Sequence, residues 1–349
     1  MLEYKPIQFF NDELPHKNII EWWYFNGNLT DAKGNRYAFM DCLFKADPKR
    51  VKIPFLRVVP LKEVYFSHAL LSDISKNKFY SEINPLVLVS KDSFTKDLFF
   101  VNYAAPSFNG YFNSEIKKID ENSWYLKTQY FELTLKNKKP PLLVAGNGFL
   151  DLGPNSTYYY SLTDLETSGE IIVEGKRIAV SGQSWMDHQW ADATYSSFKW
   201  SWFSLQLKNN IEIVCFRFES KKDTINLASV IYNDGRQKTY NDLELESLGQ
   251  NWQSPETGTI YPLTWQIKIP SAHIDLQVKP FVKEQEMIFG LINYWEGGLE
   301  VTGSYGNKPI SGLGFMELVG YPSKKGRLSY YQKTLTKNLK SYSKKFFSK

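Results

Sequence analysis

Two cysteines in 349 residues leave no disulfide framework, and Cys42 and Cys215 stand far apart in apolar runs without the paired spacing of a metal knot. They read as small core residues, which allows a reducing compartment. No apolar run approaches the ~18 residues that a helix needs to cross a bilayer. The start, Met1 to Pro6, lacks the basic-then-apolar pattern of an export signal, so the chain is expected to be cytoplasmic. No Gly-Xaa-Ser-Xaa-Gly elbow marks a serine hydrolase. Gly146 and Gly148 resemble neither a dinucleotide fingerprint nor a phosphate loop, because no helical pattern follows them. With four histidines and no local Cys/His cluster, no metal site is expected and a cofactor-free chemistry is the simplest expectation.

An excess of charge of one sign is missing too, except at one end. The net charge is +5, but nine lysines and arginines and no acid lie from Lys324 onwards. The remaining 33 basic residues face 37 acids, so the body is mildly acidic and nucleic acid is not an expected partner. In the tail, Leu335, Leu339, Tyr342 and Phe346 recur at helical spacing with lysines between them. A terminal helix packed on the body is the plainer reading. Contact with an anionic membrane surface is the alternative.

What the chain has in abundance is aromatic residues, 16% of the total, and these favour half-buried strands. Residues 21–29 and 36–45 flank a Gly/Asn-containing turn and read as a hairpin. Further strands are expected at 64–71, 79–83, 123–128, 130–135, 158–162, 170–174 and 177–180. After the midpoint the same grammar repeats at 199–207, 211–219, 225–232, 237–240, 260–269, 272–278, 299–305 and 312–318. No helical pattern of ten or more residues precedes the tail. The fold class is therefore all-β: two antiparallel barrels or sandwiches in tandem. The expected division is an N-terminal domain at 1–192, a C-terminal domain at 193–323 and a basic tail at 324–349.

The densest polar stretch lies between those halves: Gly182-Gln183-Ser184-Trp185-Met186-Asp187-His188-Gln189-Trp190-Ala191-Asp192. Buried polar groups left without partners cost about 1–3 kcal/mol each, so a connecting strand has no need of so many. In a strand, Asp187 and His188 point to opposite faces and each requires its own partner from elsewhere. Other polar residues sit among apolar ones: Glu21 before Trp22, Trp23 and Tyr24; Asp41 between Met40 and Cys42; His68 in its strand; and Glu296 after Tyr294 and Trp295.

Taken in order, these landmarks resemble the lipocalin-like superfamily of carotenoid 1,2-hydratases and kievitone hydratase, which includes fungal Diels–Alder-type cyclases and uncharacterised bacterial members. The pieces that carry the resemblance begin with Glu21-Trp22-Trp23-Tyr24, His68, Gly146-Asn147-Gly148, Tyr158-Tyr159-Tyr160-Ser161 and the stretch from Gly182 to Trp190. They continue with Trp200-Ser201-Trp202, Tyr294-Trp295-Glu296-Gly297, and the run from Gly312 through Glu317 to Tyr321. The resemblance implies two tandem calycin-type barrels or half-barrels and an aromatic-lined pocket for a hydrophobic polyene, isoprenoid or polyketide-like molecule.

Hydrating an isolated double bond needs an acid strong enough to protonate carbon, a face that tolerates a cation, and a placed water. A carboxylic acid kept protonated by apolar surroundings meets the first need, and tryptophan or tyrosine faces meet the second. The candidate acids are Asp187, Asp41, Glu21 and Glu296. Asp187 comes first, with His188 as its catalytic companion and Trp190 and Trp202 around it. Substrate is expected to meet Glu21, Trp22, Trp23, Tyr24, Asp41, His68, Trp185, Trp190, Trp200, Trp202, Tyr294, Trp295 and Glu296. A cyclase needs less, because shape and one or two hydrogen-bond donors are enough, and Tyr24, Trp23, His188 and Lys199 could serve. The alternative to an enzyme is a carrier for a lipophilic ligand. An enzyme should hold at least one of the four acids in apolar surroundings with a raised pKa, which a carrier does not require.

Overall fold

Alternation of apolar and polar side chains, over runs of up to 17 residues, turns most of the chain into strands. The computed structural model describes residues 4–51, 61–90, 92–94, 99–107, 110–152, 155–194, 198–220, 223–289 and 292–323. The helical stripe expected in the tail lies outside the described residues.

The first sheet begins with β1 (Ile20–Asp31), β2 (Arg36–Ala46), β3 (Val64–Asp73) and β4 (Lys78–Val89). It continues with β5 (Phe100–Ser107), β6 (Gly110–Asp120), β7 (Ser123–Lys127), β8 (Phe131–Asn137) and the short β9 (Leu142–Leu143) and β10 (Phe149–Leu150). Two long strands, β11 (Thr157–Val173) and β12 (Lys176–Ala191), complete it. β12 pairs with β1, and β11 also pairs with β8, so the antiparallel sheet returns on itself as a barrel. Closure removes the exposed strand edges that invite aggregation.

The second sheet is built from β13 (Lys199–Leu207), β14 (Ile211–Glu219), β15 (Thr224–Ile231), β16 (Gln237–Tyr240) and β17 (Glu244–Ser247). A small separate pair, β18 (Asn251–Gln253) and β19 (Ile260–Pro262), interrupts the order. Then follow β20 (Trp265–Ile269), β21 (Ile274–Pro280), β22 (Glu286–Phe289), β23 (Ile292–Tyr305) and β24 (Lys308–Val319). The order runs 16-15-14-13-24-23-21-20-17, with no pairing between its ends among the described residues. It is a half-open counterpart of the first.

Several segments differ from the sequence expectation. Residues 158–162 and 170–174 are not two paired strands but parts of β11, which runs on through a register shift between Leu162 and Leu165. The bulge lets one strand bend far enough to pair with both β12 and β8. The expected strand at 260–269 is broken into β19 and β20 around Leu263 and Thr264. β5 and β6, and the short β9, β10, β17, β18 and β22, lie outside the expected strands, because none of them shows a long enough alternation.

Pleat parity sorts the side chains into three layers. Trp23, Phe25, Phe39, Leu43, Tyr160, Met186 and Trp190 fill the first barrel. Phe203, Leu205, Ile267, Trp295 and Met316 fill the second. Between them lies a third apolar layer made by the outer faces of both sheets, including Tyr24, Met40, Cys42, Tyr159, Trp185, Trp202, Tyr294 and Phe315. The sheets approach so closely there that a Cβ on Gly298 would stand 2.8 Å from that of Ala38. Polar links cross the same seam, with the Gln206 amide donating to the carbonyls of Thr163 (2.8 Å) and Ser184 (2.9 Å).

Candidate active site between the two sheets

The β1–β12 ladder places Tyr24 opposite Asp187 and Trp23 opposite His188, and β11 adds Ser161 beside Asp187 and Tyr160 beside His188. Parity then decides their fates. Tyr24, Asp187, Tyr159 and Ser161 face the layer between the sheets, whereas Trp23, His188 and Tyr160 face the interior of the first barrel. Asp187 and His188 are adjacent in sequence and lie on opposite sides of a sheet.

In the layer between the sheets, Asp187 is fully enclosed by donors. Ser161 Oγ and Trp185 Nε1 each donate to Oδ1 at 2.6 Å, and Tyr159 Oη donates to Oδ2 at 2.6 Å. Tyr159 Oη in turn accepts from Trp202 Nε1 at 2.8 Å, which carries the network into the second sheet. Burial raises the Asp187 pKa to about 7 despite those three donors. Across the seam, Tyr24 Oη donates to Glu296 Oε1 at 2.8 Å. Glu296 is paired in register with Glu317 on β24, and Trp200 Nε1 donates to Glu317.

Two carboxyls side by side in an apolar layer cannot both ionise cheaply. Burial, reinforced by the charge of Glu317, pushes Glu296 well above the ordinary carboxylate range. Burial raises Glu317 too, but the hydrogen bonds of Trp200 and Glu296 oppose it. The pair therefore holds a proton between its two carboxyls at neutral pH, with Glu296 the more strongly raised. Among the described residues, the main influences on these acids are burial, other carboxyls and neutral hydrogen-bond donors. His68 joins them from β3, with Nδ1 2.5 Å from Tyr294 Oη, and burial holds it neutral by lowering its pKa to about 3.

The remaining expected residues go elsewhere. Trp22, Trp185, Trp200 and Trp202 border the layer between the sheets. Trp295 does not; it is in the core of the second sheet, donating Nε1 to the Lys283 carbonyl at 2.7 Å. Glu21, Asp41 and Trp190 face the first barrel. Glu21 was expected as a candidate protonated acid, but the opposite holds: hydrogen bonds from His16 and His188 outweigh its burial and bring it down to about 2. Asp41 is fully buried, and burial with the nearby Glu82 charge raises it to about 8. Three residues were not singled out as candidates. Glu317 and Tyr159 lie within the quoted motifs, so the signal was present in sequence. His16 reaches Glu21 by tertiary folding and carries no motif.

A closed antiparallel barrel, a second half-open sheet and an apolar, acid-bearing layer between them define a two-sheet protein of lipocalin-like architecture. The chain belongs to the AttH-like family, whose profile matches residues 1–321. Among curated proteins it is 25% identical over 198 residues to kievitone hydratase of Fusarium solani subsp. phaseoli, covering 54% of this chain and 56% of that one. It is 26% identical over 200 residues to the dehydratase asqC of Emericella nidulans, covering 54% and 53%. The matches thus span about half the length of these curated relatives.

Solved structures agree over nearly the whole chain. An AttH protein of Nitrosomonas europaea superposes with a TM-score of 0.74 at 22% identity, covering 92% of this chain and 98% of that one. Kievitone hydratase of Nectria haematococca gives 0.72 at 19%, covering 91% and 94%. CghA, solved with Sch210972, gives 0.61 at 11%, covering 93% and 95%. These likenesses establish the fold. The resemblance read from the sequence landmarks is borne out. Among the described residues no helix is long and apolar enough to cross a membrane.

Proposed function

We propose that this chain is a cofactor-independent enzyme that adds water to, or removes it from, a carbon–carbon double bond of a hydrophobic small molecule held between the two sheets. The observation that carries this reading is the carboxyl group of Glu296, buried in an aromatic layer, bonded to Tyr24 and kept protonated beside Glu317. The curated relatives, a hydratase and a dehydratase, point to the same chemistry.

In this reading Glu296 delivers its proton to one alkene carbon, and the cation that forms at the other faces Trp202 and Tyr24. Water attacks the cation and returns a proton to the Glu296 carboxylate, which closes the cycle. Dehydration runs the same steps backwards. Asp187, whose oxygens are taken up by Ser161, Trp185 and Tyr159, is a positioning residue that fixes Tyr159 and Trp202. Neutral His68 with Tyr294 supplies a hydrogen-bonding edge for water. We assign the first barrel to a domain at 1–192 and the second sheet to one at 193–323, with the site at their seam.

The test is an incubation of an extract of apolar metabolites with the protein in water enriched in oxygen-18, followed by mass spectrometry. Wild type should interconvert a pair of compounds differing by one water and should label the hydrated member. Glu296→Gln should abolish that exchange while still retaining the ligand through native purification. Retention of a ligand without any exchange by wild type would replace the enzyme with a carrier.

A further inference from the structure

On the inner face of the same ladder three side chains converge that the proposed reaction does not use. His16 comes from the N-terminal strap ahead of β1, Glu21 from β1 and His188 from β12. His16 Nδ1 lies 2.8 Å from Glu21 Oε1, and His188 Nε2 lies 2.9 Å from the same oxygen. One donor atom from each residue lies within 4.8 Å of the other two. We propose that His16, Glu21 and His188 form a binding site for a divalent first-row transition metal, with zinc(II) as its probe, which pins the N-terminal strap to the wall of the first barrel.

Four features favour a metal over a simple hydrogen-bonded cluster. The donor set is two imidazoles and one carboxylate, which suits zinc, iron(II) or cobalt(II) and not calcium or magnesium. Each imidazole has an oxygen behind it: Asp12 Oδ1 is 3.2 Å from His16 Nε2, and Tyr160 Oη is 3.3 Å from His188 Nδ1. Such outer partners fix the tautomer and orientation of metal-bound histidines. Both rings are also held by stacking, His16 on Trp190 at 4.1 Å and 6°, and His188 on Trp23 at 4.9 Å and 20°. Finally, Glu21 and His188 are completely buried, so the donors are ordered before any ion arrives.

The protons can also be accommodated. Glu21 Oε2 is occupied by the His16 backbone N–H at 2.8 Å and by Lys45 Nζ at 3.2 Å, leaving Oε1 as the metal-facing oxygen. Metal binding removes the protons from His16 Nδ1 and His188 Nε2. His188 keeps its proton by shifting it to Nδ1, towards Tyr160, and His16 holds its own on Nε2, towards Asp12. Donor atoms around tetrahedral zinc stand roughly 3.3 Å apart, given bonds of about 2.0 Å. The present 2.8 and 2.9 Å separations therefore need to open by about half an ångström, and the two ring nitrogens, within 4.8 Å of each other, need to settle to the same spacing.

The experiment is a zinc titration of the full chain, stripped with a chelator and dialysed, in competition with a chromophoric chelator. It is repeated with cobalt(II) to read ligand-field absorption. Wild type should take up one equivalent with micromolar or tighter affinity and unfold at a higher temperature with zinc than without. His16→Gln alters a strap residue at the barrel surface. It should weaken zinc at least tenfold and lose the thermal shift while keeping the circular dichroism of the wild type. Asp12→Asn, which alters the outer partner of His16 and keeps an acceptor for the Gln8 N–H, should give an intermediate loss. His273→Gln, at an exposed histidine elsewhere, should change nothing. No uptake by wild type, or equal uptake by wild type and His16→Gln, would overturn the proposal.

Discussion

The two faces of the β1–β12 ladder carry the same kinds of residue and treat them in opposite ways. On the inner face, Glu21 has cationic and hydrogen-bonding partners in Lys45, His16 and His188, and its carboxylate is ionised with a pKa near 2. In the layer on the outer face, Asp187 from β12 and Glu296 from β23 have tyrosine, serine and tryptophan donors and another carboxylate, and both are raised. Burial is nearly complete on both sides, so depth does not explain the difference. What differs is whether a cation shares the space. Around Glu21 the inner face builds a salt-bridged clamp on the strap, whereas the acids of the outer layer, and Asp41 on the inner face, hold protons.

The same substitution on the two faces should therefore have unequal consequences, and the largest effect belongs to the inner face. Glu21→Gln leaves Lys45 and two imidazoles facing a neutral amide in the barrel. Removing one partner of a buried ion pair costs about 3–5 kcal/mol, so stability at pH 7 should fall by that order. Urea denaturation in the presence of a chelator measures it without any contribution from metal. A loss below about 1 kcal/mol would show that the inner cluster is not a clamp.

The pH dependence separates the faces next. Glu21 has a folded pKa depressed from 4.5 to about 2, so its contribution is complete above pH 4.5 and is lost as pH falls towards 2. Asp187 and Asp41 are raised from 3.8 to about 7 and about 8. Between their unfolded and folded values the native state binds more protons, so stability falls as pH rises from about 4 to about 8, by at most about 1.4 kcal/mol per unit for each group. Neutral His68, lowered from 6.5 to about 3, opposes this below pH 6.5, but the two raised acids outweigh it, so stability should be greatest near pH 4–5. Denaturant midpoints from pH 3 to 9 test this, and Asp41→Asn should flatten the upper limb. A profile level from pH 5 to 8 would mean that Asp187 and Asp41 are ionised throughout.

The contrast between the faces also marks what could be read from the chain. Alternation located β1, β2, β12, β13 and β14 and placed Asp187 and His188 on opposite faces, because parity is a local property of a strand. Parity does not say which face meets a cation. Lys45 pairs with Glu21 across the β1–β2 register, and His16 arrives from a strap with no periodicity, so the ionised state of Glu21 depended on contacts that no spacing encodes. The Glu296–Glu317 pair is likewise a cross-strand neighbour relation between β23 and β24, although both residues stood in recognisable motifs. The continuous β11 was missed for the opposite reason: its bulge breaks the alternation while the strand continues.

The smallest expected effect completes the comparison. Glu296 is protonated at neutral pH, so Glu296→Gln exchanges one neutral group for another of nearly equal shape. Its amide oxygen can still accept from Tyr24, and its NH2 can donate to Glu317 where the acid proton did. Urea denaturation at pH 7 should find it within about 1 kcal/mol of wild type, as expected when a hydrogen bond is kept and no buried charge is stranded. The same change, from glutamate to glutamine, is then costly at position 21 and nearly silent at position 296. A large loss at 296 would mean that its carboxylate is ionised and paired, and the proton store on the outer face would have to be moved to Glu317.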